Sequence, residues 1–340
     1  MKLAIFAFTR QGCRTARRIM QTAGRGHQCR IYTTAKYAED GFWPVLPPLA
    51  DFIGPVFARA DALIFVGACG IAVRAIAPHI KDKQTDPAVL AVDEAGRFVI
   101  SLLSGHIGGA NALAEGIAGA ISAIPVVTTA TDVNGLFSVD EWAARRGFVI
   151  DSMAAAKAVS AAVLQNPVAI RSDFPVMTDL PAGLVAGEGG DIGILLSWRA
   201  ECPFARTLRL IPPVLHLGIG CRRGIAAEAL EDAVTAVLRL HSIDRRAVKC
   251  VASVDLKAGE QGLLQFCRQN SWPVAFYSVG ELGALPGDFT ASPFVQSVAG
   301  VDNVCERAAM IGAERLIVRK TAVNGVTVAV AAEHLEVRFD

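Results

Sequence analysis

At three points in this chain a run of strand-forming apolar residues ends on glycine and opens directly into a helical run. The first is Asp61-Ala62-Leu63-Ile64-Phe65-Val66-Gly67, apolar without alternation after its first residue. Such a run marks a strand covered on both faces, as in a parallel sheet flanked by helices. It ends in Ala68-Cys69-Gly70 and opens a helix over residues 71–77. At the second, Arg97-Phe98-Val99-Ile100 predicts a strand after the turn Asp93-Glu94-Ala95-Gly96. There follows Ser101-Leu102-Leu103-Ser104-Gly105-His106-Ile107-Gly108-Gly109-Ala110-Asn111-Ala112-Leu113-Ala114, with Leu113, Ile117 and Ile121 at helical spacing. The third is the strand Val214-Leu215-His216-Leu217-Gly218-Ile219-Gly220, the tip Cys221-Arg222-Arg223-Gly224 and a helix over 225–240. Repeated strand–glycine–helix junctions point to α/β architecture.

The boundaries follow from texture. Residues 1–147 read as an N-terminal, mainly parallel α/β domain, beginning with a strand over 2–8. Residues 148–212 read as a small middle α/β module or connector, Pro- and Gly-rich between 175 and 191, with strand-like runs over 192–198 and 207–211. Ile211-Pro212-Pro213 makes a boundary, and 213–340 is a C-terminal α/β domain ending in strands over 314–319, 326–331 and 335–339.

Several function classes are excluded or disfavoured. The 33 basic and 32 acidic residues leave a formal charge of +1, which argues against nucleic acid as the main partner. The uncharged run 116–131 is broken by Gly, Pro and Thr and is shorter than the ~20 apolar residues of a membrane span. The first eight residues reach Arg10 too soon for a signal-peptide core, so a soluble, cytoplasmic protein is expected. The eight cysteines form no C-x-x-C, which disfavours disulfides and a structural zinc. The glycine turns are neither a G-x-G-x-x-G fingerprint nor a phosphate loop with its Lys-Ser/Thr ending, which counts against a nucleotide-dependent enzyme.

The junctions carry the candidate site. A helix start has free N–H groups and a positive dipole end, so each glycine turn is a potential anion site. Glycine pairs at helix starts also serve simply to let a helix pack closely on a sheet, and both readings stay open here. In open α/β sheets ligands lie outside the carboxyl ends of strands, so the Gly70 tip and the His106 tip are expected to line one crevice. A third tip follows the strand near 124–127: Thr128-Thr129-Ala130-Thr131-Asp132-Val133-Asn134-Gly135. There Asp132 is either a base or, with Asn134, a cap for the helix over 137–146. Lys81 and Lys83 lie in a charged loop, facing an acidic ligand or only water. Arg222 and Arg223, read as standing at a helix N-terminus, suit a ligand with several carboxylates or phosphates, unless nearby acids pair with them.

These motifs together are recognisable. The stretch 101–111, with Thr128-Thr129-Ala130-Thr131-Asp132, resembles the amino-terminal domain of the CbiG family. Gly218-Ile219-Gly220-Cys221-Arg222-Arg223-Gly224, Ser253-Val254-Asp255-Leu256-Lys257 and Val304-Cys305-Glu306 resemble its carboxy-terminal domain. The chain departs in having Gly224-Ile225 where Gly-Thr is expected and Ala68-Cys69 where Ala-Ala is common. The resemblance implies a cobalt-precorrin 5A hydrolase of the anaerobic route to cobalamin (vitamin B12). Such an enzyme opens a δ-lactone on the corrin ring and releases a two-carbon unit as acetaldehyde, giving cobalt-precorrin 5B. The substrate is a flat anionic tetrapyrrole that brings its own cobalt, so neither a cofactor nor a metal site is expected. Transient contact with neighbouring pathway enzymes fits the same reading.

Against that substrate, lactone opening needs an activated water and a stabilised oxyanion. His106 is the general base by residue type, imidazole having a reference pKa near ~6.5. Asp132 orients it or acts in its place, and the N–H groups around Gly108 and Gly109 hold the oxyanion. Gly70, Ser104, Gly105, Gly108, Gly109, Asn111, Thr129, Cys221, Arg222, Arg223, Lys257 and Lys320 are expected to bind substrate. The alternative is a non-catalytic corrinoid hand-over protein of the same pathway.

Overall fold

A computed structural model describes residues 1–38, 41–82, 85–106, 108–292 and 301–340, without the side chains of Thr131 and Asp132. The chain forms two compact units, Met1–Glu141 and Trp142–Asp340. It is mixed α/β with three sheets, most of whose strand pairs are parallel. Among the described residues no helix is long and apolar enough to cross a membrane.

The first unit is built on β1 (Lys2–Ala7), β2 (Gln28–Thr33), β3 (Phe42–Pro44), β4 (Ala62–Val66), β5 (Ala88–Val92), β6 (Phe98–Leu103) and β7 (Ile124–Val126). They form one seven-stranded sheet in the order β3-β2-β1-β4-β5-β6-β7. Alternation along β1 and β4 sends Leu3, Ile5, Ile64 and Val66 to one face, beneath α1 (Arg10–Gln21). Phe6, Leu63 and Phe65 go to the other face, beneath α2 (Leu49–Phe57) and α3 (Cys69–Ile76). The helix α4 (Ala110–Ile121) joins the first face through Ile117 and Ile121.

The first five strands are mutually parallel, but β6 runs antiparallel to β5, and β7 runs parallel to β6. The cause is the turn after β5. Asp93 Oδ1 accepts the N–H groups of Arg97 (2.6 Å) and Phe98 (2.7 Å), and Gly96 takes φ 67°. A turn this short cannot make a parallel crossover, so the chain must double back.

The second unit holds two five-stranded sheets. One is made of β8 (Val149–Ile150), β9 (Val168–Ser172), β10 (Leu184–Ala186), β11 (Gly190–Leu196) and β12 (Phe204–Ile211), in the order β10-β9-β11-β12-β8. The strand β10 lies inside the Pro/Gly-rich stretch that had no expected element. The other is made of β13 (Leu215–Cys221), β14 (Val248–Val254), β15 (Val274–Tyr277), β16 (Arg315–Val323) and β17 (Val326–Ala332), in the order β15-β14-β13-β17-β16. The expected strand over 335–339 does not form. Val337 makes a lone bridge to Val176, while Phe339 stacks on Trp142 at 4.9 Å. The alternating pattern there places Val337 in a buried position, 1% exposed, held by that single bridge and not by a ladder.

Candidate active site

The turn between β6 and α4 is folded onto the helix it opens. Ser104 takes φ 57° and Gly109 φ 78°, the left-handed region that glycine enters without strain. The N–H groups of Gly109, Ala110 and Asn111 donate to the carbonyls of His106, Ser104 and Gly105 at 2.9, 3.1 and 3.0 Å. The expected oxyanion donor at Gly109 is therefore already engaged, because the turn satisfies its own helix start. Gly105 and Gly108 serve this same folding. A Cβ on Gly105 would lie 2.7 Å from Asn111 Oδ1, and one on Gly108 2.3 Å from Ser104 Cβ. Both glycines make room for the turn's own atoms, Asn111 and Ser104, and not for a neighbouring strand.

Asn111 ties two tips together. It is 3% exposed in the first turn of α4, and its Nδ2 donates to Thr129 Oγ1 at 3.1 Å. The Thr129 tip, which follows β7 and leads into α5 (Ala130–Val133), is thus held beside the His106 turn, as the parallel pairing of β6 and β7 requires. Ser104 Oγ is buried without a hydrogen-bond partner among the described residues.

His106 faces a carboxylate that sequence reasoning missed. Its Nδ1 lies 3.3 Å from Asp140 Oδ1, with side chains 16% and 8% exposed. Asp140 sits in the first turn of α6 (Val139–Arg146), and its Oδ1 also accepts from Ser138 Oγ and Glu141 N–H, both at 3.1 Å. The one local signal, an acid in the first turn after Ser138, looks like an ordinary dipole partner. Asn134 does not cap α6; its Nδ2 donates back to Ala130 C=O at 2.7 Å. The side chain of Asp132 lies outside the described residues, as do Lys83 and Ile107. Lys81 N–H donates to Asp86 Oδ2 at 2.8 Å.

The Gly70 tip does not join this group. In register, Ala62 pairs with Ala88 and Val66 with Val92, while Val89 pairs with Leu103 and Val92 with Val99. Leu103, and the turn after it, therefore stand level with the start of β4, and Gly70 follows its end. The two tips lie at opposite edges of the sheet, about 15 Å of strand apart. The single-crevice expectation fails because it assumed that β4 and β6 run the same way.

In the second unit β13, β14 and β15 are parallel, and their carboxyl ends share an edge with the turn between β16 and β17. Cys221 ends β13, and burial pushes its thiol up, partly offset by the charge of Lys257. Arg222 and Arg223 are exposed at this edge. They do not sit in a helix first turn: Gly224 takes φ 72° and the helix Ala227–Leu240 begins after Ala226. Buried Ile225 carries the chain under the helix before it starts. Lys257 Nζ lies 3.7 Å from Glu260 Oε2, and Glu260 Oε1 accepts Gly224 N–H at 3.0 Å, so this lysine is charge-compensated. Lys320 lies within β16, back from the edge, and its backbone N–H donates to buried Glu306. Gly218 and Gly220 are packing positions: added Cβ atoms would lie 1.8 Å from Cys305 C=O and 2.5 Å from Thr327 Oγ1. Among the described residues no cluster of three His, Cys, Asp or Glu side chains could hold a metal ion.

Residues 51–132 match the family model described as cobalamin synthesis G N-terminal, and residues 215–331 match cobalamin synthesis G C-terminus. A curated cobalt-precorrin-5A hydrolase from Salmonella typhimurium is 33% identical over 347 residues, covering 98% of each chain. A second, from Priestia megaterium, is 31% identical over 358 residues, covering 96% of this chain and 94% of that one. The crystal structure of a cobalamin biosynthesis protein G homolog from Sulfolobus solfataricus aligns over 98% of this chain and 97% of its own, at 20% identity and a TM-score of 0.41. Matched at both ends by the family models and along its whole length by relatives at this identity, the chain belongs to the cobalamin synthesis G (CbiG) family.

Proposed function

We propose that this protein is a cobalt-precorrin-5A hydrolase of cobalamin biosynthesis, working in the cytoplasm on a tetrapyrrole that brings its own cobalt. The observation that carries the reading is the 33% identity to a hydrolase of that name over 98% of both chains. Water adds to the lactone carbonyl and the ring oxygen leaves. The carbon–carbon bond beside the freed hydroxyl then breaks, and that oxygen becomes the carbonyl of acetaldehyde. The electron pair stays on the macrocycle, which takes up a proton, so no oxidant or reductant is consumed.

His106 takes the proton from the attacking water. With Gly109 N–H engaged, the hydroxyl of Ser104, buried two residues from His106, supplies an oxyanion donor. Arg222 and Arg223, exposed on the second unit, meet substrate carboxylates. The test is acetaldehyde release from anaerobic cobalt-precorrin 5A by wild type and His106→Ala. A positioned general base contributes about 10²–10⁴-fold, so turnover of the variant should fall by that much. Release by both moves the base elsewhere; no release by wild type with substrate bound refutes the hydrolase.

A further inference from the structure

We infer that Glu260 is the positioning residue for the Arg222-Arg223 turn, setting where the two guanidiniums meet the carboxylate arms of the tetrapyrrole. The inference deepens the reading of both arginines as substrate-binding and rests on it. The turn lacks the support of a helix start, since the helix Ala227–Leu240 begins only after Ala226. Its tie comes from another segment of the same unit. Glu260 Oε1 accepts the N–H of Gly224, the residue directly after Arg223, at 3.0 Å. Glu260 Oε2 lies 3.7 Å from Lys257 Nζ, at the end of the single helical turn Asp255–Lys257 that follows β14. One carboxylate, its side chain 10% exposed, thus joins the tip after β13 to the tip after β14. The ordinary role of an acid at this position is to cap its own helix. Glu260 directly precedes the helix Gln261–Gln269, and its side chain caps none of that helix's N–H groups. It reaches across because the two backbones lie close together: a Cβ on Gly262 would stand 1.9 Å from Ile225 C=O. Arg222 has a second support, since a Cβ on Gly325, in the turn between β16 and β17, would lie 3.6 Å from its Cδ. Among the described residues neither arginine forms an ion pair, so both guanidiniums are left for a ligand. A paired guanidinium and carboxylate depend on direction as well as charge, so a turn that swings loses the contact.

Two substitutions in the full chain separate the tie from the charge. Glu260→Gln keeps an oxygen for Gly224 N–H and removes the negative charge beside Lys257. Glu260→Asp keeps the charge and is one methylene too short to hold that hydrogen bond. In the acetaldehyde assay with cobalt-precorrin 5A, Glu260→Asp should raise KM about tenfold with kcat little changed, as losing one charge-assisted hydrogen bond does. Glu260→Gln should leave KM at or below the wild-type value, since it keeps the tie and frees Lys257 as a cation. Substrate binding, followed by its visible absorbance, should rank the variants in the same order, so the test does not depend on turnover. A KM raised by Glu260→Gln makes the charge the cause and overturns the inference. A KM unmoved by Glu260→Asp overturns it too, and a lowered Tm beside that result leaves Glu260 a structural residue. The arginines are checked separately with Arg222→Ala/Arg223→Ala. If that pair raises KM and Glu260→Asp does not, positioning alone is refuted. If the pair leaves KM and binding unchanged, the substrate-binding reading of the arginines fails, and the inference with it. Should Glu260→Asp not fold, Glu260→Ala, which also loses the tie, takes its place with the same expectation.

Discussion

Asp244→Asn should cost about 2 kcal/mol at neutral pH and progressively less below pH 4. Asp244 is a buried hub of the second unit. Arg246 donates to both its oxygens, at 2.9 and 2.7 Å, and Arg209 Nη1 donates to Oδ2 at 2.9 Å. Burial alone pushes the carboxyl up, but the hydrogen bonds from Arg246 and the charges of Arg246 and Arg209 outweigh it and bring it down to about 2. Against the ordinary aspartate value of 3.8, that displacement is worth about 2 kcal/mol at 1.36 kcal/mol per pH unit. Because the folded-state value is depressed, this stability is fully present above pH 3.8 and is lost as pH falls through about 2. At pH 3 roughly half remains, about 1 kcal/mol. Removing the charge does not strand Arg209 in an apolar site, because Asp151 Oδ2 stays 3.1 Å from its Nε, so the linkage figure stands without a larger burial penalty. Thermal melting of wild type and Asp244→Asn at pH 7, 5, 4 and 3 measures this. A Tm difference of about 4–8 °C is expected at pH 7 for a unit of this size, narrowing below pH 4. A difference that stays constant from pH 7 to pH 3 would refute the reasoning, since the loss would then owe nothing to the carboxylate charge.

Two further outcomes follow from packing. Gly218→Ala places a Cβ 1.8 Å from Cys305 C=O and 2.8 Å from Ala309 N, backbone atoms of a helix that cannot step aside locally. It should destabilise the second unit by about 3 kcal/mol or more, and a wild-type melting temperature would overturn that. Burial pushes the Cys267 and Cys305 thiols up to about 11, whereas Cys202 is exposed. At pH 8 a thiol reagent should modify Cys202 and leave Cys267 and Cys305 until the chain unfolds; equal rates at all three would contradict the burial.

Much of the candidate site was legible because it is local. The β6–α4 junction, with His106 in its turn, is a strand signal, a glycine run and a helical period in direct succession. The turn at 93–96 was legible too, and it matters beyond its own residues: a tight turn reverses the strand, and that alone moves the His106 tip to the edge opposite Gly70. Asp140 was hidden because its own neighbourhood explains it as a helix-start acid. Only the packing of α6 brings it to an imidazole far back in the chain.

By itself, then, the sequence determined the fold class, the positions of the glycine junctions, the buried strands and the family. Each is written in spacing along a single segment, where the side-chain period reports which faces are covered. Tertiary structure decided what each junction does. It used the Gly109, Ala110 and Asn111 N–H groups within the turn, set Gly105, Gly108, Gly218 and Gly220 against neighbouring atoms, and paired His106 with Asp140. Strand direction and side-chain partners depend on segments distant in sequence, and a local pattern says that a face is covered without saying by what.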